Sequence, residues 1–367
     1  MFIPSAKSNL SLISLLVIAI LLFIWVNESR MFVEENYYQE KMAAAILMQT
    51  AIDSIKTYRL DQGIYIDQLN DPNQTSLIGE RQSLITTDRG DLTAKLTSLN
   101  PNLAAAMVNM FKHAHLQKGD VIAMSCTGSY PAVNIAVMSA ALVMELDMVI
   151  ITSVGASMFG ANDPDFTWLD YESFLNEKEI FPYKSVAASM GGGRDLGRGL
   201  NKIGRDLILA AIARNGVHLI QENTLEENID RKMAIFEQEA GKDISLYVNV
   251  GGGLSSLGNS INGRLVSPGY HRRINFKNIP LKGTMFLFAE KGIPIIHLLD
   301  IRGFAEKYEF PTAPDPIPQP GEGSMYLDER YNITITVIAL VILLCLLAVV
   351  ILFDNHQMKL KAGDLNR

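Results

Sequence analysis

Two long stretches of this sequence carry no charge: "LSLISLLVIAILLFIWV" from Leu10 to Val26, and "ITVIALVILLCLLAVVILF" from Ile335 to Phe353. Buried in hydrocarbon, a backbone must satisfy its own polar groups, which restricts such stretches to helices of roughly 17–25 residues. Trp25 and Tyr331 stand where interfacial aromatic residues belong. The first stretch exceeds the usual signal-peptide core of about 7–15 residues, and "NESRMF" offers no small-x-small cleavage site, so it reads as an uncleaved anchor. Two spans place both termini on one side. Lys7, Lys359, Lys361 and Arg367 flank them at the termini, against Arg30, Lys41 and Arg330 on the other side. This slight bias puts the termini in the cytoplasm, and the expectation is a cell-membrane protein with an extracytoplasmic central domain.

The spans divide the chain. Residues 1–9 form a short tail, 10–26 the first span, 27–60 a membrane-proximal helix, and 61–310 an α/β domain of one or two subdomains. Residues 311–332 read as a proline-rich linker, 333–353 as the second span, and 354–367 as a tail. In the membrane-proximal segment, Ala45, Met48, Ile52 and Ile55 recur at helical spacing and form an apolar stripe. "EFPTAPDPIPQPGEG" reads as a stiff extended linker, because its prolines suit neither a helix nor a sheet interior. A formal net charge of −7 argues against nucleic-acid binding. Cys126 is alone in the central region and Cys345 lies in a span, so no disulfide forms within the domain.

From about residue 100 the pattern is apolar run, small-residue turn, helix, repeated. "DVIAMS", "MVIITS", "KSVAAS", "GVHLI" and "SLYVNV" read as strands, with "TMFLFAE" and "IPIIHLL" as further strand material. "PAVNIAVMSAALVMELD" reads as a helix closed by Asp147, too short for a third span. "TLEENIDRKMAIFEQEA" reads as a charged helix. The expected fold is α/β: a mainly parallel sheet with helices on both faces, doubly wound and Rossmann-like, flanked by one transmembrane helix at each end.

In such sheets ligands bind beyond the carboxyl ends of the strands. Four of those ends look alike: SCTGS, SVGAS, SMGGGR and NVGGG. Glycine admits close approach of backbone amides, and Ser and Thr hydroxyls add donors, which suits a phosphate or a carboxylate. The candidate ligand-binding residues are Ser125, Thr127, Gly128 and Ser129; Ser153, Gly155 and Ser157; Gly191, Gly192, Gly193 and Arg194; and Asn249, Gly251, Gly252 and Gly253. None of the loops has G-x-G-x-x-G or P-loop spacing, and tight strand-to-helix turns are the plainer reading of any one of them. Arg198 and Arg205 follow Arg194, and His271, Arg272, Arg273 and Lys277 form a second basic cluster, either anion-binding or simply solvated.

Candidate nucleophiles are Ser129 and Ser157, with Ser125 and Cys126 beside them. The base would be His218, His271 or His297, of which His297 is the best placed, three residues before Asp300. No G-x-S-x-G elbow supports them. Asp163 and Asp165 in "GANDPDFTWLDYESF" could hold a hard cation, although an Asp-Pro turn in an aromatic patch explains them equally well. No cofactor is assigned.

Taken together, "SCTGSYPAVNIAV", "SVGASMFGANDPDFTWLD", "SVAASMGGGRDLGRGL" and "NVGGGLSSLG" resemble the poly-gamma-glutamate system protein family, through most of the central domain. The GANDPDFTWLD block is the most specific part. The resemblance implies a membrane-associated bacterial protein that works beside the machinery making and exporting poly-γ-glutamate, in capsule or surface-polymer formation. It implies a process rather than a reaction, and carries over no catalytic residue. The expected partners are the anionic polymer or a small anion and other membrane components of that system, and a homo-oligomer is compatible with the sequence. Two functions follow: an accessory component that binds the polyanion, or an enzyme acting on it, whether a γ-glutamyl hydrolase or transferase or a nucleotide-using enzyme.

Overall fold

The computed structural model describes residues 8–275 and 278–364, with side chains as far as residue 356. Lys7, Lys277 and Arg367, and the side chains of Lys359 and Lys361, lie outside the described residues. The chain separates into two units: residues 1–35 with 327–367, and residues 36–326.

In the first unit, helices Asn9–Glu28 and Ile333–Asp364 are each joined to a strand of a short antiparallel ribbon, Met31–Glu34 paired with Leu327–Arg330. Both helices are long and apolar enough to cross a membrane. Leu12, Leu16, Phe23, Val337, Leu344 and Phe353 are among many large apolar side chains exposed around them, as expected of helices solvated by lipid. At the ribbon Arg30 donates to the Tyr331 hydroxyl at 3.0 Å and its guanidinium lies 4.6 Å from that ring centre.

The second unit begins with α1 (Tyr38–Asp61), α2 (Leu92–Ser98) and α3 (Leu103–His113). Then come β1 (Val121–Thr127), α4 (Pro131–Val143), β2 (Asp147–Ser153), α5 (Trp168–Glu177) and β3 (Ser185–Ser189). They are followed by α6 (Lys202–Arg214), β4 (His218–Ile220), α7 (Leu225–Ala240) and β5 (Ile244–Val250). The unit closes with β6 (Gly269–His271), α8 (Thr284–Glu290), β7 (Ile295–Leu298) and α9 (Ile301–Lys307). The sheet has seven strands in the order β6-β7-β5-β1-β2-β3-β4, parallel throughout except for β6 against β7.

Every residue of the central strand β1 is buried, as a strand covered on both sides requires. Its side chains alternate between two cores. Ile122, Met124 and Cys126 join Met48 and Ile52 of α1, Met107 of α3 and Val133 of α4. Val121 and Ala123 join Phe236 of α7, Phe288 of α8 and Tyr247 of β5. Helix α4 starts on Pro131, whose fixed φ and missing N–H suit a first helical position, and it is buried along almost its whole length. It is a core helix. The stripe Ala45, Met48, Ile52 and Ile55 of α1 is buried within this same unit.

Three expectations are corrected. "TMFLFAE" is helix α8 rather than a strand: a short apolar run carries no period to separate the two, and Met285, Phe286 and Phe288 bury one helical face. Asp147 opens β2 instead of closing α4, because the helix ends at Val143 and a turn intervenes. The proline-rich segment is not a free linker as far as Tyr326. Thr97, Asn73 and Asn102 hold it against the helices through Ala313, Pro314, Ile317, Gln319 and Gly321, and Tyr326 is fully buried.

Asn102 is the hub of this strap. Its carbonyl oxygen accepts from the Tyr326 hydroxyl at 2.6 Å and the Gly321 amide at 3.0 Å, while its amide donates to Gln319 O at 2.9 Å. Removing a side chain that satisfies several buried polar groups costs about 1–3 kcal/mol for each group left unpaired. Asn102→Ala is expected to lower the melting temperature of the purified protein and to make residues 311–326 the first site of proteolysis. Unchanged melting and cleavage would show that the strap adds nothing.

Candidate functional site

The carboxyl ends of the parallel strands β1, β2, β3 and β5 open on one side, and their loops meet there. A cavity of about 520 Å³ is lined by Thr127 and Ser129 from the first loop, Ser153, Gly155 and Ser157 from the second, Gly191, Gly192 and Gly193 from the third, and Gly252 and Gly253 from the fourth. Tyr130, Leu254 and Leu299 supply apolar wall. Segment 87–91, "TDRGD", closes another side, because Thr86–Asp88 pairs in parallel with Ala156–Ser157. It brings Asp88, Arg89 and Asp91 to the lining, where Arg198 also stands.

Some glycines here serve the fold. Gly251 has φ +87°, and a Cβ on it would meet Thr127 Oγ1 at 2.4 Å. Gly252 and Gly253 differ. Neither has a left-handed φ. The nearest atoms to an added Cβ are Leu299 Cδ1 at 3.5 Å for Gly252 and Thr127 Cγ2 at 3.3 Å for Gly253. Neither the turn nor the packing demands glycine at 252, and what its missing side chain leaves open is the cavity.

Beneath the lining lies a buried cation. Lys232 of α7 pairs with Asp195 Oδ2 at 2.8 Å, with both side chains essentially inaccessible. Its ammonium also donates to Ser255 Oγ at 2.6 Å, Ser189 Oγ at 2.8 Å and Ser153 Oγ at 3.2 Å. Ser153 in turn donates to Asp195 Oδ1 at 2.8 Å. Arg194 and Asp195 both hold φ near +60°, unusual for residues with a Cβ. The ion pair anchors that conformation.

A second buried lysine stands beside the cavity. Lys95 of α2 donates to the Ser129 carbonyl and to Ser157 Oγ at 2.9 Å, and its ammonium lies 3.9 Å from the Tyr130 ring centre. Burial pulls its pKa down to about 7, while Asp91 pulls the other way.

The remaining expected residues fall elsewhere. Ser125 and Asn249 are buried in the sheet. Gly128 is held in the fold, its carbonyl accepting from the Ala161 amide at 2.7 Å. Arg194 is exposed and outside the lining; Arg198, four residues on in the same turn, reaches it alongside Arg89. His297 is no base for the cavity. Its Nδ1 faces the Asn249 amide at 3.0 Å, its Nε2 faces Gly263 O at 3.0 Å, and burial lowers its pKa to about 4. Cys126 packs toward Thr152, and burial pushes its thiol pKa up.

The GANDPDFTWLD block is structural. Asp163 pairs with Arg59 at 3.1 Å, Asp165 donates its backbone amide to Asp163 and acts electrostatically on Arg214, and among the described residues no three potential metal ligands cluster. Asn162 pairs with the Glu80 backbone through both ends of its amide, at 3.0 and 2.7 Å. Trp168 donates to Glu172 at 2.6 Å, and the Glu172 carboxyl also accepts from the Ser185 amide and hydroxyl.

No protein-family model, curated protein or solved structure matches this chain.

Two predictions follow from these buried charges. Asp195→Asn strands the Lys232 cation and is expected to destabilise the protein by about 3–5 kcal/mol in chemical denaturation, far beyond the cost of a surface change. Burial raises the Glu172 carboxyl to about 7, with its hydrogen-bond donors opposing. Because this folded pKa lies above the unfolded value, its stabilisation is full below pH 4.5 and is lost as pH rises through about 7. Melting temperature is expected to fall across that window, and Glu172→Gln to flatten the slope.

Proposed function

We propose that this protein is a membrane-anchored binding component that grips an anionic, carboxylate-rich chain in the cavity at the strand ends. The observation that carries the proposal is the convergence of four glycine- and serine-bearing loops on one hollow, with open backbone at Gly252 and two arginines, Arg89 and Arg198, in its lining. Guanidinium groups match carboxylates through paired hydrogen bonds, and glycine lets main-chain amides approach them. An adjoining cavity of about 630 Å³ shares Asp91, Tyr130, Gly252 and Leu299 and adds Arg264 and Arg302. Two cavities side by side, sharing a wall, favour a polymer over a single small anion. Asp88, Asp91 and Asp300 temper the positive charge and suit a ligand that must also be released.

The four loop sequences resemble the poly-gamma-glutamate system family, and a glutamate polymer is a chain of carboxylates, so we take poly-γ-glutamate as the ligand. On this reading the sheet is a doubly wound, Rossmann-like core, the two apolar helices anchor it in the cell membrane, and the domain meets the polymer on the extracytoplasmic side beside other membrane components.

The test uses the full chain in detergent micelles with poly-γ-glutamate of graded length. Arg198→Ala and Arg89→Ala are each expected to weaken binding by about three- to tenfold, with affinity falling as salt rises. Gly252→Val is expected to weaken it further with little change in melting temperature. Affinity indifferent to salt and to both arginines would overturn the reading.

A further inference from the structure

We infer that Ser157 and Lys95 form a nucleophile and base pair at the edge of the cavity, making it an acyl-transfer site for an amide-linked polyanion. Ser157 belongs to the lining and is partly exposed, so a bound acyl group can reach its hydroxyl. Lys95 is fully enclosed, with its nitrogen 2.9 Å from that hydroxyl. Base and nucleophile are thus already within proton-transfer reach. What fixes the lysine is also present: the Ser129 carbonyl and the Tyr130 ring hold the nitrogen from other directions. Ser129 Oγ accepts from the Ser157 amide at 3.0 Å, which steadies the loop carrying the nucleophile.

The contrast with Lys232 is informative. That lysine has a carboxylate at 2.8 Å, an ion pair that ties it to the fold. Lys95 has hydroxyl, carbonyl and ring neighbours instead. The nearby Asp91 spends Oδ1 on the amides of Thr93 and Ala94, and its Oδ2 faces Arg302 at 3.5 Å. Burial lowers the Lys95 pKa to about 7 and raises that of Tyr130, so near neutral pH a substantial share of Lys95 is the neutral amine, beside a neutral phenol. A lysine in that state accepts a proton from serine, as a histidine does in other nucleophilic sites.

The chemistry balances without a redox partner. Ser157 Oγ bonds to the acyl carbon while its proton passes to the Lys95 amine. The C–N bond of the amide then breaks, and the leaving amine takes the proton from the Lys95 ammonium. Water attacks the resulting Ser157 ester, with Lys95 receiving and returning a proton, and releases a carboxylic acid and the free hydroxyl. A second amine in place of water gives transfer instead of hydrolysis. Arg198 and the glycine amides of the lining suit the negative charge that develops on the acyl oxygen.

This inference rests on the same cavity being the binding site, but its test is separate. The full chain in detergent micelles is treated with a fluorophosphonate probe, which phosphonylates activated serines with loss of fluoride, and the labelled residue is mapped by peptide mass spectrometry. Labelling is expected at Ser157, rising with pH through about 7. Ser157→Ala is expected to abolish it, and Lys95→Met to slow it by at least about a hundredfold. The wild-type mapping and pH profile need no variant, so they decide the matter even if Lys95→Met fails to fold. Ser157 left unlabelled between about pH 6 and 9, or labelled equally fast in a folded Lys95→Met protein, overturns the inference. Polymer binding that persists in the first of those cases leaves the binding reading standing.

Discussion

The Lys232 ammonium is the point on which this architecture turns. It leaves α7, lies beneath the strand ends and meets Ser153 at the end of β2, Ser189 at the end of β3, Asp195 in the glycine-rich turn, and Ser255 just after β5. Desolvating an ammonium costs several kcal/mol, and only a full set of partners repays it. The consequence is mutual: each of those loops is fixed because the cation requires it. The left-handed conformations at Arg194 and Asp195 persist because the surrounding structure imposes them. Three of the four loops that build the cavity are thereby fixed in shape, and the first is held by Lys95 through the Ser129 carbonyl.

The sheet explains why those loops face the same way. Parallel strands put all their carboxyl ends on one edge, and alternate residues of β1 feed two cores, so helices pack on both faces and leave the edge free. The antiparallel β6 lies at the border and does not interrupt the row. Charge at this edge is mixed. Arg89 and Arg198 stand with Asp88 and Asp91, an arrangement that recognises pattern more than bulk charge.

Much of this was legible from residue order. "VIAMSCT" and "MVIITS" announce buried parallel strands by their unbroken apolar runs, and the glycines and serines that follow mark the exits. Other features were not. "TTDRGD" has no period, and it reaches the cavity only because Thr86 pairs with Ala156, seventy residues away in sequence, a contact no local pattern encodes. Lys95 and Lys232 look like ordinary solvated positions in polar helical stretches, and their burial depends on which helix face turns inward. "TMFLFAE" misleads because seven apolar-rich residues fit either period. The GANDPDFTWLD block misleads differently: its carboxylates Asp163 and Asp170 are engaged by Arg59 and Arg214, partners distributed across the fold.

The ribbon that pairs Met31–Glu34 with Leu327–Arg330 joins the two ends of the chain segment between them. As long as it and its apolar helices persist, that segment is a closed ring even after it melts. Holding the ends of such a long ring together removes on the order of 5 kcal/mol of freedom from the denatured chain. The ribbon thus does without covalent chemistry what a cystine clasp does in secreted domains: it limits how far the melted polypeptide can wander and speeds its return.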